Sequence, residues 1–211
     1  MSQVITKAVI LAAGMGLRMK ELGEDIPKGF IRLGGSYIIE YSLKALASCG
    51  IRDILIVTGH KAEYYENLKK TYPRIRTVEN PDFADTGTMR SLWCARDFID
   101  GDFILLESDL IYDPAAISGI MGAPYSDCLL LSGTTHAGDE VYVEAHEDRV
   151  SRISKNIDQI RNSVGEYIGI AKFSMGLYER LKQTAETLSD KNPKLSYDMD
   201  CLAKVAIDHP I

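Results

Sequence analysis

Ile10-Leu11-Ala12-Ala13-Gly14-Met15-Gly16-Leu17-Arg18, followed after a polar interval by Pro27-Lys28-Gly29-Phe30, is the stretch whose reading decides the fold. The apolar run Ala8 to Ala12 reads as a buried parallel strand, and Gly14 and Gly16 follow where a chain leaving a sheet needs a permissive backbone. Ala13, Gly14 and Gly16 carry almost no side chain, so their N–H groups can approach a triphosphate closely, while Arg18 and Lys28 bring positive charge to the same mouth. The plainer alternative is a strand-to-helix turn whose glycines serve packing, but that leaves the two cations at this spacing without a role. Two familiar glycine loops are excluded. A dinucleotide fingerprint needs a third glycine where Met19 stands, and a P-loop needs Gly-Lys-Ser/Thr, whereas Lys28 is followed by Gly29.

Outward from this loop the chain alternates. Ile31 to Leu33 with Gly34-Gly35 reads as a short strand and turn, and Ser36 as the cap of a helix through Ile39, Leu43, Leu46 and Ala47 that Gly50 ends. Asp53 to Thr58 is a second buried strand, Ala62 to Tyr72 a helix with lysines near its C-terminal end, and Ile75 to Glu79 a third strand before Asn80-Pro81. This order predicts an α/β fold, a doubly wound, mostly parallel, Rossmann-like sheet with its binding crevice at the carboxyl ends of the strands. Asn80 to Ser91 is a polar connection into a helix through Leu92, Ala95 and Phe98. Its hydroxyls on Thr86, Thr88 and Ser91 suit either helix capping or a turn that reads a base. Phe103 to Glu107 is a further apolar strand, which delivers Asp109 to the crevice, where one carboxylate with phosphate oxygens and water suits Mg²⁺. A cap before Pro114 is the other use of an acid here, and Asp113 suits it better.

From Asp127 the pattern changes. Cys128 to Leu131 is a strand, and Val141 to Glu144 and Val150 to Ser154 flank a turn at Glu147-Asp148, which predicts a small antiparallel lid hairpin over one edge of the sheet. Asp139, Glu140 and Lys155 stand at its ends, with Glu166-Tyr167 before a strand Ile168 to Phe173. A helix from Met175 to Leu188, a break at Asn192-Pro193 and a last helix from Tyr197 to Ala206 follow. The helix dipole alone accounts for Asp198 and Asp200 in its first turn. The chain then stops at Ile211, within what reads as another strand.

A chain of 211 residues, 45% hydrophobic, buries one good core, so one domain is expected. A net charge of −6 argues against nucleic-acid binding, which calls for a basic face. Cys49, Cys94, Cys128 and Cys201 show no Cys-x-x-Cys spacing and read as buried thiols in a reducing compartment. No run approaches the roughly 20 apolar residues of a membrane span. A soluble, cytoplasmic protein is expected.

The order Leu-Ala-Ala-Gly-x-Gly-x-Arg over Leu11 to Arg18, then Pro27-Lys28, then Asp109 after a strand, resembles the small-molecule nucleotidyltransferase family. The likeness is greatest to its CTP-using members that activate 2-aminoethylphosphonate or phosphocholine. The resemblance implies one cytidylyltransferase domain over residues 1–211 with a lid at about 132–167. It implies that a phosphate or phosphonate oxygen attacks the α-phosphorus of CTP while pyrophosphate departs. Lys28 and Arg18 would be catalytic, and Leu11, Ala12, Ala13, Gly14, Gly16, Lys28, Asn80, Thr86, Thr88 and Ser91 would hold the nucleotide. Asp109 would hold Mg²⁺, and Asp139, Glu140, Lys155, Glu166, Asp198 and Asp200 would hold the second substrate. So anionic a nucleophile needs no general base, in keeping with the scattered His60, His136, His146 and His209. Family members usually run on to a final strand and a second metal-ligating Asp. That implies a truncated chain, or the first domain of a longer one such as a fusion to an aminotransferase, unless Asp200 substitutes.

The amine of the acceptor separates the candidate substrates. A primary ammonium donates three hydrogen bonds and favours carboxylates, whereas a quaternary ammonium is held in an aromatic cage. Acids stand at 139, 140, 198 and 200, and Val141 stands where the phosphocholine enzymes lead one to expect an aromatic, so 2-aminoethylphosphonate is the expected acceptor. Phosphocholine, with Tyr142, Tyr167 and Tyr197 as a partial cage, stays as the alternative, beside a sugar-1-phosphate acceptor and a nucleotide-binding module without turnover.

Overall fold

A computed structural model describes residues 5–16 and 26–211. Its frame is four parallel strands, β1 (Lys7–Ala12), β4 (Asp53–Thr58), β5 (Ile75–Glu79) and β6 (Phe103–Glu107), in the order β5-β4-β1-β6. Parallel strands covered on both faces carry continuous apolar side chains, which is why these runs read so plainly in the sequence. Ala8, Ile10 and Ala12 of β1 pack with residues of α1 (Ile38–Ser48), α2 (Ala62–Leu68) and α4 (Ala115–Gly122). Val9 and Leu11 pack with α3 (Thr88–Cys94) and α5 (Met175–Leu188) on the other face. The chain builds outward from β1 on one side, then returns to lay β6 on the other, so the crevice of the doubly wound sheet opens between the carboxyl ends of β1 and β6.

Four antiparallel strands, β7 (Cys128–Ser132), β8 (Tyr142–His146), β9 (Arg149–Ser154) and β10 (Ser163–Phe173), complete an eight-stranded sheet. One edge of β10 pairs with β6 through Ile170–Phe173 and with β8 through Ser163–Glu166, while β7 takes the opposite edge. Ile168 and Gly169 pair with neither β6 nor β8, and the sheet parts there, directly beyond the end of β6. Gly169 has φ +83°, and a Cβ on it would stand 2.8 Å from Cγ of Glu107. The backbone and the space both call for glycine.

Several expected boundaries move. The β8–β9 hairpin extends the sheet through β10 instead of lying over its edge, because β10 is long enough to offer β8 a free flank. Ser36 belongs to β3 (Ser36–Tyr37), paired with β2 (Arg32–Leu33), and Tyr37 takes the cap position of α1, its N–H donating to Oε2 of Glu40 at 2.9 Å. Helix α2 ends at Leu68 rather than Tyr72, and α3 at Cys94 rather than Phe98, each running out in turns. The last helix begins as a π-helix, Tyr197–Leu202, and becomes α6 (Ala203–Val205). No strand forms before Ile211, whose carbonyl instead accepts from Val150 N at 2.9 Å.

Candidate active site

The carboxyl ends of β1 and β6 form the floor of an open cleft of about 1040 Å³. Leu11, Ala12, Ala13, Gly14 and Gly16 line one wall. The loop is propped from below: Ala13 O accepts from His60 N at 3.3 Å, and a Cβ on Gly59 would meet that oxygen at 2.8 Å. Gly16 has φ +65°, while Gly14 is exposed with nothing within 4 Å of where its Cβ would be. Backbone is thus bare to the cleft where a phosphate would need its N–H groups. Arg18 lies outside the described residues.

Lys28 reaches the cleft from a tight turn, Lys28–Phe30, clamped to the end of β6. Phe30 is buried with its ring 5.1 Å from those of Tyr37, Tyr64 and Tyr65, and a Cβ on Gly29 would lie 3.0 Å from Ser108 O. Any side chain there would press the strand back by a few tenths of an ångström. Lys28 Nζ then meets Asp109 Oδ2 at 2.9 Å. Both side chains stay about one-third accessible, 28% and 32%, so the pair is preorganised yet open to a ligand.

Asn80 does not line the cleft. It is buried, and its Nδ2 donates to Thr86 Oγ1 and Ser91 Oγ, each at 3.2 Å, while its Oδ1 accepts from Asp82 N. It therefore shapes the turn whose Thr86, Thr88 and Ser91 do face the cleft. The Thr88 hydroxyl also accepts from Tyr197 N at 3.1 Å.

Asp139, Glu140, Lys155, Glu166, Asp198 and Asp200 all stand on the opposite wall. Their states differ. Glu166 is buried and accepts from Thr135 N and Thr135 Oγ1, which ties the loop after β7 to β10. Asp200 Oδ2 accepts from Ser196 N at 2.7 Å and Ser196 Oγ at 3.1 Å, as a helix cap would. Glu140 accepts from Gly138 N, a hydrogen bond that holds its carboxyl below the usual carboxylate range. The Asp198 carboxylate has no partner among the described residues. Tyr142 is not among the cleft residues, and the Tyr167 and Tyr197 hydroxyls bond each other at 3.1 Å within the protein. One wall of the partial cage is missing.

Glu107 joins this wall, though the sequence reading gave it no role. Burial pushes its carboxyl up to about 8, and the charges of Asp109 and Asp198 push the same way, against a hydrogen bond from Tyr197 and the charge of Lys28. The signal for it was its place as the last residue of an apolar strand facing the switch point. Lys194 and Thr135 also line the cleft, and no pattern in the sequence marks them.

The family model that describes the MobA-like NTP transferase domain matches residues 8–167, from β1 through the cleft wall at Tyr167. The chain belongs to that family. Among curated relatives, the chain is 34% identical over 132 residues to the CMP-5'-(3-aminopropyl)phosphonate synthase of Streptomyces rubellomurinus, a match covering 61% of this chain and 21% of that one. It is 31% identical over 154 residues to the 2-aminoethylphosphonate cytidylyltransferase of Lancefieldella rimae, covering 71% of this chain and 61% of the relative. Its fold superposes on the inositol-1-phosphate CTP transferase of T. maritima with a TM-score of 0.83 at 20% identity, over 100% of this chain and 85% of that structure. No helix among the described residues is long and apolar enough to cross a membrane.

Among the described residues no group of three or more His, Cys, Asp or Glu could by itself hold a metal ion. Asp109, about one-third accessible in the cleft, nevertheless offers one carboxylate. One or two carboxylates that leave positions for phosphate oxygens and water are what Mg²⁺ takes, so the set fits Mg²⁺ with a nucleotide.

Proposed function

We propose that this chain transfers CMP from CTP to a small aminophosphonate, 2-aminoethylphosphonate in the first instance, with release of pyrophosphate. The observation that carries the reading is the division of one cleft into a cationic, backbone-lined nucleotide wall and an acidic wall facing it. An acceptor with a phosphonate at one end and a primary ammonium at the other fits both, and two relatives named for aminophosphonate chemistry support it. Phosphocholine fits less well, since its ammonium donates no hydrogen bonds and the cage lacks Tyr142.

The bare loop at Gly14 and Gly16 would hold the triphosphate by its N–H groups, and Lys28 would neutralise charge as it builds on the α-phosphoryl and the departing pyrophosphate. Asp198 would orient the ammonium, leaving the phosphonate oxygen aimed at the α-phosphorus. That oxygen forms the new bond as the α–β bridge bond breaks, and no proton moves. Mg²⁺ bound at Asp109 would supply further charge neutralisation on the phosphates.

Pyrophosphate release with Mg²⁺, crossing CTP, UTP, ATP and GTP against 2-aminoethylphosphonate, phosphocholine and a sugar 1-phosphate, tests the proposal. Turnover confined to CTP with 2-aminoethylphosphonate is expected. Preference for phosphocholine or a sugar phosphate would replace the acceptor, and CTP binding without turnover would make the chain a binding module.

A further inference from the structure

We propose that Gly87 is a positioning residue for the acceptor, acting across a backbone seam that joins the nucleotide-side turn to the strap leading to Asp198. The inference rests on the cytidylyl-transfer reading of the cleft for its kinetic consequences, and on geometry alone for the seam itself. The strap, residues 192–196, runs from α5 past the start of α3 and leads directly into the π-helix that bears Asp198. A Cβ on Gly87 would stand 2.1 Å from Leu195 O and 2.5 Å from Lys194 O. No flexible side chain is there to move aside; backbone itself would have to shift. Gly87 has φ −94° and ψ −176°, an extended conformation open to any residue, so close approach alone requires glycine.

Two hydrogen bonds depend on that approach. Met89 N donates to Leu195 O at 3.0 Å, and Tyr197 N donates to Thr88 Oγ1 at 3.1 Å. On one side of the seam Asn80 fixes Thr86 and Ser91. On the other, Tyr197 is anchored to Tyr167, and Asp198 follows it directly. Displacing Leu195 therefore moves the acid proposed to orient the ammonium, although Gly87 itself sits on the nucleotide side. Misplacement of a substrate-orienting group by about 1 Å can cost about a hundredfold in rate.

The experiment uses the full chain with Mg²⁺, CTP and 2-aminoethylphosphonate, and compares Gly87→Ala, Thr88→Val and Thr88→Ser. Gly87→Ala and Thr88→Val should each raise the acceptor KM about tenfold or more. In Gly87→Ala, whose altered residue does not line the cleft, CTP affinity measured by titration calorimetry should stay within about threefold, and Thr88→Ser should restore the acceptor KM that Thr88→Val loses. An unchanged acceptor KM in both variants, or a loss of CTP affinity alone, overturns the proposal; the latter would make Thr88 a nucleotide contact only. Thr88→Val keeps the test available should Gly87→Ala fail to fold. If the wild-type chain shows no turnover with any acceptor, the reaction reading fails separately, and amide hydrogen exchange over residues 195–200 of the ligand-free protein decides the seam. Faster exchange there in Gly87→Ala supports it, and an unchanged pattern overturns it.

Discussion

The two walls of the cleft are built on different principles. On the proposed nucleotide wall the cleft is faced by bare backbone and one lysine, held by strands β1, β4 and β6 and by the packing of Phe30. On the acceptor wall they are side-chain carboxyls on loops, and several are already engaged: Glu166 by Thr135, Asp200 by Ser196, Glu140 by Gly138. A carboxylate that accepts local hydrogen bonds organises its own loop, while one without a partner is available to a ligand. By this contrast Lys28 and Asp198 are the groups proposed to act on substrates, while Glu166 and Asp200 are engaged by their own loops.

Breaking the nucleotide wall should have the largest effect. Lys28→Ala removes a preorganised charge and leaves Asp109 without its partner, so kcat/KM for pyrophosphate release should fall by about a hundredfold or more. A loss of less than about threefold would remove Lys28 from the mechanism. On the acceptor wall, Asp198→Asn should raise the acceptor KM by roughly ten- to a hundredfold, the worth of a charged hydrogen bond, with CTP affinity little changed. If KM for CTP moves instead, Asp198 belongs with the nucleotide and its metal, and the division into two walls fails.

The same contrast decided how much could be read from sequence. The parallel half was legible because apolar runs of strand length, separated by helices, have few other ways to be buried, and because Gly14, Gly16 and Lys28 carry their chemistry in residue type. The acceptor half was legible as composition, in its acids and its hairpin, but not as roles. Whether Asp200 faces a substrate or caps Ser196 depends on a π-helical turn, in which Cys201 N reaches back to Ser196 O. Propensity does not announce such a turn. Glu107 was overlooked for a related reason. Its setting depends on Gly169 clearing space from a strand some sixty residues away, and on Tyr197 reaching it from the far end of the chain. Asn80, expected to hold the nucleotide, is instead buried one layer behind the cleft, its donors spent on Thr86 and Ser91.

Glu107 also sharpens the comparison through pH. Its carboxyl ionises near 8 in the folded chain, against 4.5 as the ordinary value, so the native state holds a proton that the unfolded chain releases. The sign follows from linkage: between about pH 4.5 and 8 the folded form binds more protons, so this group's contribution to stability falls as pH rises and levels off above 8. Glu107→Gln, which cannot ionise, should flatten that slope and stabilise the ligand-free protein at pH 8 by about 1–3 kcal/mol, allowing for partial access to solvent. Thermal melts of both proteins at pH 5, 6.5 and 8 measure it. Parallel Tm curves would mean that Glu107 is charged throughout.

The smallest effect expected is at Asp200, and it bears most directly on what an acid in this wall is for. If Asp200 only secures the Ser196 cap of the π-helix, then Asp200→Asn, which retains an oxygen to accept from Ser196, should leave both stability and turnover within about threefold of wild type. Asp200→Ala loses the acceptor and should cost about 1 kcal/mol of stability, as for other capping interactions, with a modest rise in the acceptor KM because Asp198 lies in the same first turn. A metal or ammonium ligand would behave in the opposite order. Charge would then matter more than shape, and Asn would be as damaging as Ala, with turnover falling about a hundredfold while the melting temperature held. Comparing the two substitutions by Tm and by pyrophosphate release therefore separates an acid that builds the wall from one that acts on what the wall contains.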